Sequence, residues 1–319
     1  MKLIKYLYFS FLIFLIIPLK IYSQDETENK KELFGLIQPA FVYYFEPNKI
    51  PNNEFKLYRT RMGFISKISQ SISGQIEIDP IDPQIIKDAK IKISPSKFFS
   101  IVFGWQKIPF SLERMTSVKD LIFIDRAKIV KEMDDLGYCG RDLGIILSTD
   151  FSLSSYTFDF NFGVFNGTQN LNSGDNNNSK TFAQRLTIRK SKNFSFGINS
   201  TQRFDSASSI YFVGNGFDLS YSPWKNFTIT SEVLYGRKTS TSLIGGTYLG
   251  FYYKFGELNF GLRYSKYYKN IDLKGENYIQ SKIDWQLNKK FKFIFNYELN
   301  YINLKNINSK LILASTYEL

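Results

Sequence analysis

The chemistry of this chain depends on its arginine, lysine and carboxylate side chains, because the sequence contains no histidine and a single cysteine, Cys139. Without an imidazole, catalysis by Ser-His-Asp or Cys-His groups and metal binding by histidine are excluded. One cysteine also excludes an intramolecular disulfide and a cysteine-based zinc site. We therefore expect no enzymatic activity, no metal and no cofactor.

Two pairs of arginines have a spacing that suits the binding of anions. Arg59 and Arg61, and likewise Arg185 and Arg189, share a face wherever the chain is a strand, because strand side chains alternate between two faces. A guanidinium group binds two oxygens of a phosphate or carboxylate at once. The alternative is that these arginines only balance acids on the same polar faces: Glu77, Asp142, Asp159, Asp284 and Glu298.

The overall charge is basic, with 41 Lys and Arg against 29 Asp and Glu, a net charge of +12. The cations are spread along the chain without a basic run, so we expect no nucleic-acid partner. An excess of positive charge favours anions in general. Hydrophobic residues make up 43% of the chain and aromatics 17%, which excludes extended disorder and favours strands.

Residues 1–23 have the pattern of a secretory signal peptide. Lys2 and Lys5 precede an apolar run at 7–19, which is shorter than the about 20 residues that span a bilayer, and a small residue, Ser23, follows. Cleavage there removes three lysines and leaves a net charge of +9. We expect residues 24–35 to form a short periplasmic segment.

From Leu36 onward the sequence alternates with the period of a strand. In 153–165 apolar residues at 156, 158, 160, 162 and 164 alternate with polar or small residues at 155, 157, 159, 161 and 163. Most of these runs have about ten residues, which is enough for a tilted strand to cross a bilayer. The predicted strands are 36–45, 56–68, 71–79, 86–93, 98–106, 141–149, 153–165, 181–190, 193–203, 210–221, 226–237, 243–255, 258–269, 277–287, 291–301 and 310–319.

The connections between these runs alternate between short turns and longer loops, which is typical of outer-membrane barrels. We therefore predict an all-β fold over 36–319, a sixteen-stranded antiparallel transmembrane β-barrel with both termini in the periplasm. A secreted β-sandwich or a soluble barrel also alternates. A barrel of sixteen strands, however, is too wide to fill with side chains, so its interior has to be polar and its exterior apolar.

The longest connection, 107–140, is predicted to fold inward and narrow the lumen as a constriction loop. Ser117 is predicted to cap a short helix, with a second helix around Ile129, Val130 and Met133. The loop charges balance, and a pair between Arg126 and Glu113 would hold the loop to the wall. Cys139 is interpreted as structural or incidental.

The segments GWQKIPFSLERMTSVKDLIFIDRA at 104–127 and GRDLG at 140–144 resemble the phosphate-selective porin O/P family. The resemblance implies a homotrimer of sixteen-stranded porins that pass phosphate or other anions through a loop-narrowed lumen. By the same resemblance the anion site combines wall arginines with loop cations, and Lys107, Arg126 and Arg141 lie in the matching motifs. Outer-membrane barrels usually end in an aromatic residue, which the assembly machinery reads, whereas this chain ends in Leu319.

We therefore expect an outer-membrane porin of a Gram-negative-type bacterium, for passive diffusion of small solutes with a modest preference for anions such as phosphate. An alternative is a barrel with an occluded lumen that serves an anchoring or interaction role. The expected partners are small anionic solutes, outer-membrane lipid, two further copies of the chain and the barrel-assembly machinery. The candidate pore residues are Arg59, Arg61, Lys107, Arg126, Arg141, Arg185 and Arg189.

Overall fold

A computed structural model describes residues 30–46, 48–171, 175, 179–205, 210–271, 273–303 and 306–319. Within these residues sixteen strands form one closed antiparallel barrel, in which each strand pairs with its sequence neighbours and the last pairs with the first. The predicted all-β barrel fold is confirmed. The predicted signal peptide and residues 24–29 lie outside the described residues. The strands are β1 Lys30–Tyr44, β2 Asn53–Lys67, β3 Ile72–Ile78, β4 Ile86–Ser96, β5 Phe99–Lys107, β6 Arg141–Leu153, β7 Tyr156–Phe165, β8 Thr181–Lys190, β9 Phe194–Asp205, β10 Ile210–Trp224, β11 Phe227–Arg237, β12 Leu243–Phe255, β13 Leu258–Tyr268, β14 Glu276–Gln286, β15 Phe291–Asn303 and β16 Asn306–Glu318.

The wall has an apolar outer face and a polar inner face. In β13, Phe260, Leu262 and Tyr264 are exposed, whereas Asn259, Arg263 and Ser265 at the alternate positions are buried. A soluble barrel would have the opposite arrangement, because it hides apolar side chains inside. Seven short turns of two to four residues join strands at one end of the barrel. The other eight connections lie at the opposite end and most of them are longer, although only two residues separate β15 from β16. No helix within the described part of the chain is long and apolar enough to cross a membrane.

Several strand boundaries differ from the sequence prediction; β16, for example, starts at Asn306 rather than at residue 310. β1 begins at Lys30 rather than residue 36, because residues 30–35 still pair with β2, from Lys30 opposite Lys67 onward, although pairing with β16 starts only at Leu36. The turn between β6 and β7 lies at 154–155, not at 150–152, and Ser154 adopts a left-handed φ of 56° there. At β6 the strand continues past the turn signal at residues 150–152.

A β-bulge turns Tyr58 into the barrel, although Tyr58 is expected to face lipid with Met62 and Phe64 if β2 alternates regularly. Gln38 pairs with Arg59 and Pro39 pairs with Leu57, so Tyr58 is an extra residue in β2. Proline has no N–H to donate to the hydrogen bonds between paired strands, which is why a bulge is tolerated opposite it. Tyr58 and Arg59 consequently both reach residues inside the barrel.

We use the term insert for residues 108–140, between β5 and β6. It contains α1, Leu112–Met115, and α2, Lys128–Asp135. The predicted helix after Ser117 is wrong: the first helix lies earlier and Ser111 caps it by accepting a hydrogen bond of 3.2 Å from the amide of Arg114. The second helix is confirmed, with Ile129, Val130 and Met133 buried.

The core of the molecule is the packing of the insert against the inner wall. Ile129 and Met133 of α2 belong to one buried cluster with Leu234 of β11 and Ile244 of β12. Ile124 belongs to a second cluster with residues of β1, β15 and β16. Because β11 and β1 are six strands apart in the closed ring of sixteen, the insert reaches across the lumen.

One glycine in the wall allows the close approach of the insert. A Cβ atom built at Gly246 of β12 would lie 2.8 Å from Cβ of Ile129, which is closer than real Cβ atoms come. Absence of a side chain at this position therefore lets α2 lie directly against the backbone of the wall.

Candidate functional site

Two cavities lie beside the insert, an outer one with a mostly polar lining and an inner one with a mixed polar and apolar lining. The outer cavity, of about 440 Å³, opens towards the longer connections, and the inner cavity, of about 290 Å³, lies towards the chain termini. Arg61, Val118 and Arg141 line both, so the two cavities meet at these residues. The charged residues of the outer cavity are Arg59, Arg61, Lys87, Arg114, Arg126, Arg141, Asp79, Asp82, Asp125, Asp134 and Asp135.

Arg59 lies in the wall of the outer cavity, where the β2 bulge directs it towards the insert. Its Nη1 donates a hydrogen bond of 2.6 Å to Oε1 of Gln38, and its Nη2 donates to the backbone carbonyl of Ile124. Among the described ion pairs none includes Arg59. Its guanidinium group is therefore held in place by neutral acceptors, and no carboxylate that the structure describes lies within ion-pair distance of it.

Arg126 extends from the insert into the same cavity. Its Nε donates to the backbone carbonyl of Glu113 at 3.0 Å and its Nη2 to that of Thr116 at 3.3 Å. Burial and the neighbouring Arg114 guanidinium lower the pKa of Arg126, and the nearby Glu113 carboxylate offsets only part of this effect. The predicted Arg126–Glu113 ion pair is thus corrected to a bond to the Glu113 backbone.

Lys107, at the end of β5, is the third cation with neutral acceptors. Its Nζ lies 3.1 Å from the backbone carbonyls of both Met115 and Thr116, and it lines the inner cavity. It is in no ion pair with the carboxylates that the structure describes. Its ammonium group ties the end of α1 to the barrel wall.

The other four candidate pore residues are paired with acids. Nη1 of Arg61 lies 2.6 Å from Glu77, and Nε of Arg141 lies 3.1 Å from Asp88. The remaining two are on β8, one buried and one half-exposed. Arg185 binds both carboxylate oxygens of Asp218, at 2.7 and 2.9 Å, whereas Arg189 lies 4.0 Å from Asp159 at the turn end of the strand.

The acid that joins the insert to the wall, Asp125, was missed by the sequence analysis. Its carboxylate accepts hydrogen bonds from Nζ of Lys310 at 2.8 Å, Nζ of Lys131 at 2.9 Å and the hydroxyl of Tyr58 at 3.2 Å. Burial alone would raise the pKa of the Asp125 carboxyl, but the two lysines hold it well below its usual range. Its partners come from β2, α2 and β16, so local sequence carries no signal for this cluster.

Two further residues of the wall hold α1, and neither is among the candidate pore residues predicted from the sequence. Glu232 of β11 accepts from the amide of Leu112 at 2.7 Å and from Oγ of Ser111 at 3.1 Å. Arg263 of β13 pairs with the carboxylate of Glu113, which also accepts from the Ala127 amide at 2.8 Å. Both are charged residues on an inner strand face, but their partners lie more than a hundred residues away in the sequence.

The comparisons with known proteins agree with this architecture. The fold resembles an anion-selective porin from Comamonas acidovorans (11% identity, TM-score 0.63, 92% of this chain and 100% of that chain) and Salmonella typhi OmpF in complex with daunomycin (13% identity, TM-score 0.67, 91% and 98%). It also resembles the trimer form of OmpT of Vibrio cholerae (10% identity, TM-score 0.61, 91% and 99%). No curated protein matches the sequence. The model of the family described as phosphate-selective porin O and P matches residues 39–213, more than half of the chain. The chain therefore belongs to this family of outer-membrane porins.

Proposed function

We propose that the channel favours small anions and that the insert forms its constriction. The observation that carries this proposal is the set of three cations, Arg59, Lys107 and Arg126, around the two cavities. Each has neutral oxygen atoms as hydrogen-bond acceptors and no described carboxylate as ion-pair partner. A passing anion is the partner that would compensate these charges.

The size of the electrostatic effect is sufficient for ion selectivity. At an effective dielectric constant of about 20, two unit charges about 4 Å apart interact by about 4 kcal/mol before desolvation is subtracted. A tenfold bias needs only about 1.4 kcal/mol. An anion that passes Arg59 and Arg126 in turn would thus be favoured even if most of the interaction were offset by lost hydration.

The charge balance of the outer cavity supports a modest preference rather than a dedicated phosphate site, and the inner cavity is lined by equal numbers of cations and acids, four of each. The outer cavity is lined by six cations and five acids, an excess of one positive charge. We infer that Arg61 and Arg141 shape the junction of the cavities together with their acids. We further infer that Arg185 belongs to the wall, because Asp218 already occupies its guanidinium group, and that Arg189 belongs to the periplasmic mouth.

The two cavities favour a conducting channel over an occluded barrel with an anchoring role. They lie on one side of the insert and meet at Arg61 and Arg141, whereas the opposite side of the insert packs into apolar clusters. We propose a channel without enzymatic activity, which the absence of histidine from the sequence supports.

We also propose that the mature chain starts after residue 23 and forms a homotrimer, and that the barrel-assembly machinery reads its last strand. The signal-peptide pattern of residues 1–23 and the family membership support these proposals. The trimer form of one structural relative, OmpT of Vibrio cholerae, supports the proposed homotrimer.

Planar-bilayer recording of the purified chain tests the channel. We expect discrete current steps in potassium chloride, and a lower chloride current when phosphate is added, because phosphate competes for the same cations. Heat-dependent mobility on a gel confirms that the barrel is folded. A folded protein without current steps would contradict the channel and favour the occluded barrel, whereas steps unaffected by phosphate would contradict only phosphate as a solute.

A further inference from the structure

The end of the barrel that carries the short turns has a ring of lysines on its outside. The lysines in these turns and at outward-facing strand ends are together called the basic rim: Lys31, Lys97, Lys190, Lys192, Lys225, Lys289 and Lys290. In the described part of this end, Glu257 is the one acidic residue at such a position. By sequence, the longer connections at the other end, without the insert, hold six cations and five acids, so the two ends differ strongly in charge.

The basic rim lies at the level of exposed aromatic side chains. Nζ of Lys97 is 4.9 Å from the ring centroid of Phe98, and Nζ of Lys190 is 5.5 Å from that of Tyr156. Trp224, next to Lys225, is 69% exposed. Aromatic girdles of this kind sit at the headgroup level of a bilayer, so the lysine ammonium groups reach the layer of lipid phosphates.

No rim lysine forms an ion pair with the residues that the structure describes, whereas Lys87, Lys131 and Lys310 inside the barrel all do. The rim charges are also distributed along the circumference, at turns that follow β4, β8, β10 and β14. A compact acidic protein could reach only one part of such a ring. An extended anionic surface can reach all of it.

We propose that the basic rim binds the phosphate headgroups of anionic phospholipids in the periplasmic leaflet of the outer membrane. The proposal does not depend on the anion preference of the lumen, because the rim lysines point away from it or lie in the turns. A lysine near an anionic bilayer surface favours binding by about fivefold. The protein would therefore collect phosphatidylglycerol-type lipids around its periplasmic end.

Lipid retention measured by native mass spectrometry tests this proposal. The full folded chain is extracted from nanodiscs that contain equal amounts of phosphatidylcholine and phosphatidylglycerol, and the lipids that remain bound are counted. We expect at least about fivefold enrichment of phosphatidylglycerol. The variant Lys97→Gln, Lys190→Gln, Lys192→Gln, Lys225→Gln should lose most of it.

A matched control removes four charges from the opposite end of the barrel, with Lys49→Gln, Lys238→Gln, Lys269→Gln and Lys274→Gln. This variant should keep the enrichment, and 1 M salt should abolish it in the wild type, because the Debye length falls to about 3 Å.

Equal retention of both lipids by the wild type, or equal enrichment in both variants, would overturn the proposal. Binding of the rim to purified peptidoglycan without any lipid preference would overturn it as well. Current steps and reversal potentials of the same variants test the lumen, so a failure of the lipid proposal can be told apart from a failure of the channel proposal.

Discussion

Lys310, on the strand that closes the barrel, donates a hydrogen bond of 2.8 Å to Asp125 of the insert. The two residues are 185 positions apart in the sequence. Lys131 of α2 and Tyr58 of the β2 bulge bind the same carboxylate. One acid therefore joins the insert and its helix to β2 and β16, the two strands on either side of β1.

The pH dependence of this junction follows from the depressed pKa of Asp125. A carboxyl whose pKa is lower in the folded state stabilises the fold above its unfolded pKa, about 3.9, and loses this contribution as the pH falls through the folded value. We expect the protease resistance of the insert in the wild type to be unchanged between pH 7 and pH 4. Loosening of the insert near pH 5 would contradict this prediction.

Asp125→Asn should loosen the insert already at neutral pH. The substitution keeps the size of the side chain but removes the charge that Lys131 and Lys310 compensate, and hydrogen bonds to charged groups contribute about 1.5–3 kcal/mol. Limited proteolysis and open-channel noise are the measurements. Asp120→Asn, an acid of the insert that is absent from the described ion pairs, is the control and should behave as the wild type.

Arg263→Met should release α1 from the wall. Arg263 is 1% exposed and pairs with Glu113, and breaking one side of a buried pair costs about 3–5 kcal/mol because the other charge stays buried. We expect noisier and larger single-channel currents. The double variant Arg263→Met, Glu113→Gln should be less disturbed than the single variant, and a single variant with quiet wild-type currents would show that the pair does not hold the insert.

Gly104→Ala should reduce the yield of folded barrel. Gly104 has a φ of 135°, and a Cβ atom there would lie 2.2 Å from the carbonyl oxygen of Ala89 on the neighbouring strand. The expected cost is more than about 1 kcal/mol. Gly74→Ala is the matched control, since the nearest atom lies 3.9 Å away. Refolding in detergent, followed by heat-dependent gel mobility, compares the two, and equal yields would count against the strain at Gly104.

The strands could be predicted from the sequence because alternation is a local property. Strand β8 was predicted at 181–190 and lies there, since each inward residue is two positions from the next. The inward turn of Tyr58 could not be predicted, because it depends on a bulge opposite Pro39 of another strand. The pairing of β2 and β1, not the pattern within β2, decides which face Tyr58 occupies.

The charges of the lumen could be identified from the sequence, but their partners could not. Arg59 and Arg61 were equivalent in the alternating pattern, yet Arg61 pairs with Glu77 whereas Arg59 binds neutral oxygens. Likewise Arg263 pairs with Glu113 across 150 residues. Such pairs are set by how the insert crosses the lumen, which no local spacing encodes.

The reversal potential of the open channel in a tenfold gradient of potassium chloride tests the central claim most directly. We expect the wild type to prefer chloride, and Arg59→Gln with Arg126→Gln to lower the anion-to-cation permeability ratio several-fold, since two cations without an ion-pair partner are lost. The matched variant Arg114→Gln with Asp134→Asn removes a pair, 2.8 Å apart, from the same cavity without changing its net charge, and should keep the ratio. A wild type without anion preference, or an unchanged ratio in the Arg59 and Arg126 variant with the pore still open, would contradict the account.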